Sequence, residues 1–156
     1  MGLFMKYPGL DGDATEKGFQ NWITLTSVHF GTSRNVAAKA GQTKSREGST
    51  PTISDITVTK ILDAASAGLF RASVSLGQGQ TVQIAFTKTG GATYLQYTLS
   101  EVIISGYNIS TTDDLPVETV NISCAQFQMT VTTTDSSNNP VAPMTTGYDL
   151  AQNTAI

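Results

Sequence analysis

The sequence has little charge, almost no cysteine or histidine, and no long apolar run. Only 13% of its 156 residues are Asp, Glu, Lys or Arg, against about 25% in an average soluble domain. One cysteine, Cys124, cannot form an intramolecular disulfide, and one histidine, His29, provides no zinc-ligand spacing. No apolar run approaches the roughly 18 residues that a membrane-spanning helix needs. We therefore expect no metal, no cofactor and no membrane insertion.

Basic residues are also scarce, which weighs against a nucleic-acid partner. Nine Lys and Arg face 12 Asp and Glu, a net charge of −3, whereas phosphate neutralisation requires clustered positive charge. The amino terminus has no basic leader followed by a long apolar region, so no cleaved signal peptide is expected. A single cysteine fits synthesis in a reducing cytoplasm.

Small hydroxyl residues take the place of charge. The chain contains 24 Thr and 14 Ser, a bias that suits strands and turns better than helices. A length of 156 residues is typical of one compact domain. We expect a single all-β domain over 1–156, with strands that include 3–7, 53–61 and 82–86, the last leading into a tight turn at Gly90 and Gly91.

Three longer predicted strands, 22–30, 93–107 and 117–134, share an unusual pattern. In each, the apolar residues occupy one face and then change to the other partway along. Such a change requires a bulge or a bend, because side chains alternate strictly along a strand. Bends of this kind let a sheet close on itself. The pattern therefore predicts a small β-barrel.

One segment, 63–76, has the spacing of a short α-helix. Asp63 can cap its start and Gly77 can end it. One face of this helix can then lie on the sheet. The apolar residues at helical spacing are Leu62, Ala65, Leu69, Ala72 and Leu76.

Residues 32–52 form a long polar loop with an excess of positive charge. Four basic residues against one acidic residue give it +3, so the rest of the chain carries −6. Loops this long in compact domains are usually functional or disordered. Two interpretations stay open: a solvated excursion, or an arm that contacts an acidic surface of a neighbouring subunit. The candidate acidic acceptors are Asp11, Asp13, Glu16, Asp113, Asp114 and Glu118.

No catalytic pattern surrounds His29 or Cys124, since a general base needs a positioned nucleophile and an orienting partner. We therefore expect no enzyme. An alternative from another class is a monomeric β-barrel module that holds a small apolar ligand in its interior. A hydrolase ranks behind both, because nucleophilic hydroxyls are plentiful but the bases to activate them are not.

Several stretches carry a family resemblance in order along almost the whole chain. They are LFMKYPGLDGDAT at 3–15, WITLTSVHFG at 22–31, ITVTK at 56–60 with DAAS at 63–66, EVIIS at 101–105, and GYDLAQN at 147–153. In that order and spacing they resemble the Hcp family, the tube proteins of bacterial type VI secretion.

The resemblance implies a structural protein whose fold is a small β-barrel of two packed sheets with one helix on its side, related to phage tail-tube proteins. It implies homo-hexameric rings that stack into a tube, with sheath, spike and effector proteins as partners. It also implies residence in the bacterial cytoplasm before firing and release outside the cell afterwards. In the family the loop after the second strand, here 32–52, reaches a neighbouring subunit. The expected contact residues are Arg34, Lys39, Lys44, Arg46, Glu47, Asp113 and Asp114.

Overall fold

The computed structural model describes residues 2–37, 47–48, 50–75, 79–112 and 114–156. The first strands are β1 (Gly2–Lys6), β2 (Ile23–Leu25), β3 (Ser27–His29), β4 (Thr32–Ser33), β5 (Val36–Ala37), β6 (Glu47–Gly48), β7 (Thr52–Ile53) and β8 (Ile56–Ile61). The helix α1 (Ser66–Val74) follows. The remaining strands are β9 (Gln80–Thr87), β10 (Thr93–Ser110), β11 (Val117–Ser123), β12 (Gln126–Val131), β13 (Met144–Asp149) and β14 (Thr154–Ala155). The predicted fold class, β-rich with one short helix, is confirmed.

Antiparallel pairings lead around a closed barrel. β1 pairs with β2 and β9, β9 with β10, β10 with β11, β11 with β8, and β8 with β3. Between β2 and β3 lies Thr26, whose amide donates to the carbonyl of Thr59 at 2.7 Å. The series of strands therefore returns to β1. β12, β13 and β14 extend the sheet outward from the first half of β10.

The predicted change of the apolar residues from one face of β10 to the other is confirmed. The strand bends at that point. The first half of β10 pairs with β9 and β12, and its second half pairs with β11. The register shifts between Leu99 and Val102, and Glu101 between them has a positive φ of 53°. As a result Leu99 and Val102, three residues apart, both point into the core. An extra residue in the strand produces this geometry.

Two segments predicted as single strands are each two strands, and these predictions are wrong in detail. Segment 22–30 divides at Thr26 into β2 and β3, and segment 117–134 divides at Cys124 and Ala125 into β11 and β12. β11 pairs with β8, whereas β12 pairs with β13. Since both lie antiparallel to the bent β10, they must separate where β10 bends.

The tight turn between β9 and β10 is as predicted. Gly90 and Gly91 have φ values of 103° and 93°, which residues with a Cβ rarely adopt. The amide of Lys88 donates to the carbonyl of Ala92 at 2.8 Å across this turn.

Apolar side chains fill the barrel interior. Those with no exposed surface come from six strands and α1: Met5, Ile23, Ile56, Val58, Leu69, Val82, Ile84, Leu99, Val120 and Ile122. Phe30, Tyr97 and Phe127 stack at one side, with the rings of Phe30 and Phe127 4.3 Å apart. Among the described residues, the side chains of the barrel itself occupy its interior, which disfavours the interior ligand of the alternative hypothesis.

The helix is shorter than the predicted 63–76, because it begins at Ser66 and ends at Val74. Leu76 and Gly77, the expected last apolar residue and the expected end, lie outside the described residues. The carboxylate of Asp63 accepts a hydrogen bond from the amide of Ala65 at 2.9 Å. Asp63 therefore caps the turn that precedes the helix rather than the helix itself.

A close approach of two chain segments makes Gly12 a sensitive position. Its amide donates to the carbonyl of Asn21 at 2.9 Å. A Cβ at this position would lie 2.5 Å from the carbonyl oxygen of Trp22 and 2.6 Å from the Cα of Ile23. Because backbone atoms cannot swing aside as flexible side chains do, the loop would have to move.

We expect Gly12→Ala to lower the free energy of unfolding by about 1–3 kcal/mol, the usual cost of overpacking. Gly31→Ala is the matched control, since the nearest atom to its Cβ would be the Oγ of Ser54 at 4.0 Å. Urea unfolding of both variants measures the difference. Equal midpoints for the two would contradict the prediction.

Candidate functional site

The predicted arm contains short paired strands that are separate from the barrel. β4 pairs with β7, and β5 pairs with β6, each as a two-stranded sheet of its own. The amide of Ser54 donates to the carbonyl of Gly31 at 2.9 Å and closes the base of the arm. Ile53, predicted as part of the next barrel strand, instead pairs with Thr32 in the arm. The arm is thus a ribbon with its own hydrogen bonds, not an irregular loop, at the ends that the structure describes.

The first part of the arm is solvent-exposed, whereas Pro51 and Ile53 on the returning part are half-buried. Residues 32–36 are all exposed, including Arg34 and the apolar Val36, which is 52% exposed. Glu47 lies in β6. Lys39, Lys44 and Arg46 lie outside the described residues.

The predicted acceptors divide into exposed and buried carboxylates. Asp11, Asp13, Glu16 and Asp114 are exposed, and Asp113 lies outside the described residues. In the part of the chain that the structure describes, the ion pairs are those of Lys60 with Asp63 and Glu118. An arm-to-body ion pair within one chain is therefore not among them.

Glu118 is wrong as an acceptor for the arm. Its side chain is 0% exposed, and its carboxylate lies 2.7 Å from the ammonium of Lys60, which is also 0% exposed. Lys60 in β8 and Glu118 in β11 are direct cross-strand partners. The two charges neutralise each other inside the fold.

This pair belongs to a larger buried network, which we call the ionic cluster: Lys60, Asp63, Ser66, Tyr107 and Glu118. The ammonium of Lys60 also donates to the Oγ of Ser66 at 3.1 Å and pairs with Asp63 at 2.9 Å. Ser66 Oγ donates to Glu118 Oε1 at 2.6 Å, and the Tyr107 hydroxyl donates to Glu118 Oε2. Among the described residues, no buried side-chain nitrogen or oxygen lacks a hydrogen-bond partner. Full pairing is what makes buried charge tolerable.

The ionic cluster shifts the titration of two of its members. Burial acts to raise the pKa of Glu118, but hydrogen bonds from Lys60, Ser66 and Tyr107 and the Lys60 charge outweigh it, so the pKa is lowered. Burial, the hydrogen bond to Glu118 and the nearby carboxylates raise the pKa of Tyr107. Glu118 is therefore a carboxylate at neutral pH, and Tyr107 is a neutral donor.

The lone histidine and cysteine do not form a reactive site. His29 is exposed in β3, paired across the strands with Thr57. Burial and the charge of Asp55 raise the pKa of the Cys124 thiol to about 11, so the reactive thiolate is scarce at neutral pH. The described residues contain no group of three His, Cys, Asp or Glu side chains placed to hold a metal. Nor does the described chain contain a helix with the length and apolar character to cross a membrane.

A half-open groove of about 340 Å³ lies between α1 and β10. Apolar side chains form most of it, and Arg71 stands among them. It lies beside the barrel under α1 rather than inside it. Its lining residues are Tyr7, Pro8, Leu10, Gly68, Arg71, Ala72, Ser75, Gln80, Val102, Ile103 and Ile104.

The chain matches a known protein family in sequence. The family model described as "Type VI secretion system effector, Hcp" matches residues 4–131. The chain belongs to the Hcp family. The resemblance seen in the sequence is confirmed, and this is a type VI secretion tube protein of a secreted, structural family rather than of an enzyme family.

Solved Hcp structures share its fold. A structure titled as a type six secretion system protein superimposes with a TM-score of 0.91 at 20% identity, covering 99% of each chain. Hcp1 from Salmonella typhimurium has a TM-score of 0.81 at 22% identity, covering 99% of this chain and 98% of its own. Hcp3 from Pseudomonas aeruginosa has a TM-score of 0.55 at 18% identity, over 92% and 96%. A comparison with curated proteins gave no match.

The ionic cluster is the feature that sequence reasoning missed, although a signal was present. Lys60 follows Ile56 and Val58 in the same phase of β8, and Glu118 precedes Val120 and Ile122 in the same phase of β11. In both strands a charged residue thus occupies a position that points into the core. Two opposite charges on inward positions indicate a buried pair.

Removing one charge of the Lys60–Glu118 pair should lower the free energy of unfolding far more than removing both charges. We expect Lys60→Met to lower the free energy of unfolding by about 3–5 kcal/mol, because Glu118 keeps an unpaired buried charge. Adding Glu118→Leu should restore at least half of the loss. Urea unfolding of the wild type, both single variants and the double variant measures the coupling. Losses that simply add in the double variant would contradict the prediction.

Proposed function

We propose that six copies of this chain form a ring with a central channel, and that rings stack into the tube of a type VI secretion machine. The 1–156 chain acts as one tube domain, which a contractile sheath propels out of the cell with a spike and effector proteins. It resides in the bacterial cytoplasm before firing and outside the cell afterwards. Membership of the Hcp family supports this proposal.

The observation that carries the proposal is the exposed arm. The arm hydrogen-bonds to itself and leaves Arg34 and Val36 in solvent. It therefore adds little to the stability of its own subunit. Its positive charge, +3 against −6 for the rest of the chain, suits a heterologous contact between different surfaces of two copies. We assign the exposed Asp114, together with Asp113, as acceptors on the next copy, facing Arg34, Lys39, Lys44 and Arg46, with Glu47 at the edge of this contact.

Exposed apolar residues outside the arm support the same conclusion. Several large side chains are more than half exposed in the isolated chain: Phe70, Val74, Ile103, Ile109, Leu115 and Met144. Interfaces between copies bury apolar residues and disfavour charge at their centre. A chain with only 13% charged residues can bury a large share of its surface in this way.

Sedimentation velocity of the purified protein should show a species of six times the 16.5 kDa of one chain, and electron microscopy should show a ring with a central hole. Concentrations from the low micromolar range upward are suitable, since ring formation depends on mass action. A protein that stays monomeric at every concentration would overturn the proposal.

Reversing charge in the arm should weaken assembly. We expect Lys44→Glu combined with Arg46→Glu to reduce the ring or stack fraction, because the arm would repel the acidic surface of its neighbour. The difference from wild type should shrink as salt rises from about 0.05 M to 0.5 M.

Lys88→Glu is the control for charge alone, because Lys88 is exposed in the turn between β9 and β10. Assembly that is the same for the arm variant and for this control would show that the charge of the arm is incidental.

A further inference from the structure

The helix α1 is weakly packed against the barrel for an element of its length. Within it only Ser66 and Leu69 are buried, while Phe70 is 54% and Val74 is 69% exposed. Leu10 packs closely against Gly68 on the groove side of α1, and beyond that contact Ala72 and Ser75 line the groove.

The polar contacts between α1 and the barrel concentrate at the first turn of the helix. Ser66, its first residue, donates to Glu118 and accepts from Lys60, and Asp63 just before it pairs with Lys60. Lys60 and Glu118 belong to the barrel strands, and Ser66 and Asp63 belong to α1 and its approach. Phe70 adds an edge contact to Tyr107, with ring centres 6.0 Å apart.

We propose that the ionic cluster is a latch that fastens the first turn of α1 to the barrel, and that α1 can open as a unit while the barrel stays closed. Closure of the barrel does not need α1, because the strand pairings return to β1 without it. Opening would uncover the apolar groove and Leu69. The latch thus controls how much apolar surface the subunit presents.

The latch depends on pH through Glu118. The groups that face it are Lys60 from β8, Tyr107 from β10, and Asp63 and Ser66 from the α1 side. A carboxyl whose pKa is lower in the folded state contributes stability above its unfolded value, and this is lost as pH falls through the folded value. The latch is therefore closed at neutral pH and weakens below about pH 4.

Amide hydrogen exchange of the purified full-length protein tests this proposal, with Ser66→Ala as the main variant. This change removes one of the two α1-side contacts of the latch and leaves the pairs of Lys60 with Glu118 and with Asp63. Under conditions in which α1 recloses faster than its amides exchange chemically, we expect α1 amides to exchange about tenfold faster, with β9 and β10 unchanged. After correction for intrinsic exchange, lowering the pH below about 4 should produce the same pattern in the wild type, because the pKa of Glu118 is lowered in the folded state.

Ser73→Ala is the matched control, because Ser73 lies in the same helix, is only half-buried, and donates only to the carbonyl of Phe70. Both changes raise helix propensity equally, so a faster exchange in Ser66→Ala alone comes from the latch. Asp63→Asn removes the second α1 contact with Lys60 and serves if Ser66→Ala does not fold. Unchanged α1 exchange in these variants, or equal acceleration of α1 and the barrel strands, would overturn the proposal.

Discussion

Closure of the barrel imposes the bends on which the other features of the fold depend. A sheet of antiparallel strands exposes unpaired backbone groups at its edges. Here β2 runs on through Thr26 into β3, so that one end of the strand pairs with β1 and the other with β8. β10 does the same with β9 and β11, with Glu101 at the corner. At each bend, one strand passes from one set of pairing partners to another.

The bends also explain why apolar residues change phase along the strands. Where a strand gains one residue at a corner, its side chains exchange faces, so the apolar set must shift by one position to stay inside. Leu99 and Val102 show this on β10. Lys60 and Glu118 lie inward near the ends of β8 and β11, in the same phase as the apolar residues of those strands. The burial of these two charges is tolerated because they pair with each other and both contact Ser66. Glu118 also accepts a hydrogen bond from Tyr107.

The arm and α1 are the two parts that the barrel does not require. The arm pairs only with itself in its described parts, and α1 is attached at its first turn and through Leu69. Elements of this kind have fewer buried apolar contacts than the strands, and they are where a rigid scaffold carries its variable contacts.

Alternation and turn chemistry act over a few residues, so the sequence alone predicted the β-rich class, the bent strands and the Gly90-Gly91 turn. The family was indicated by the order of several stretches along the chain. Only the tertiary structure decided where 117–134 divides, since that depends on the bend in its partner β10. Likewise the shortening of the helix to Ser66–Val74 and the burial of Glu118 follow from contacts between residues far apart in the chain, 52 positions for Ser66 and Glu118. The phase of Glu118 in its strand indicated an inward position, but only the fold showed which partners neutralise it. A charge becomes a core residue only when folding brings its neutralising partners to it, and that pairing is a property of three dimensions.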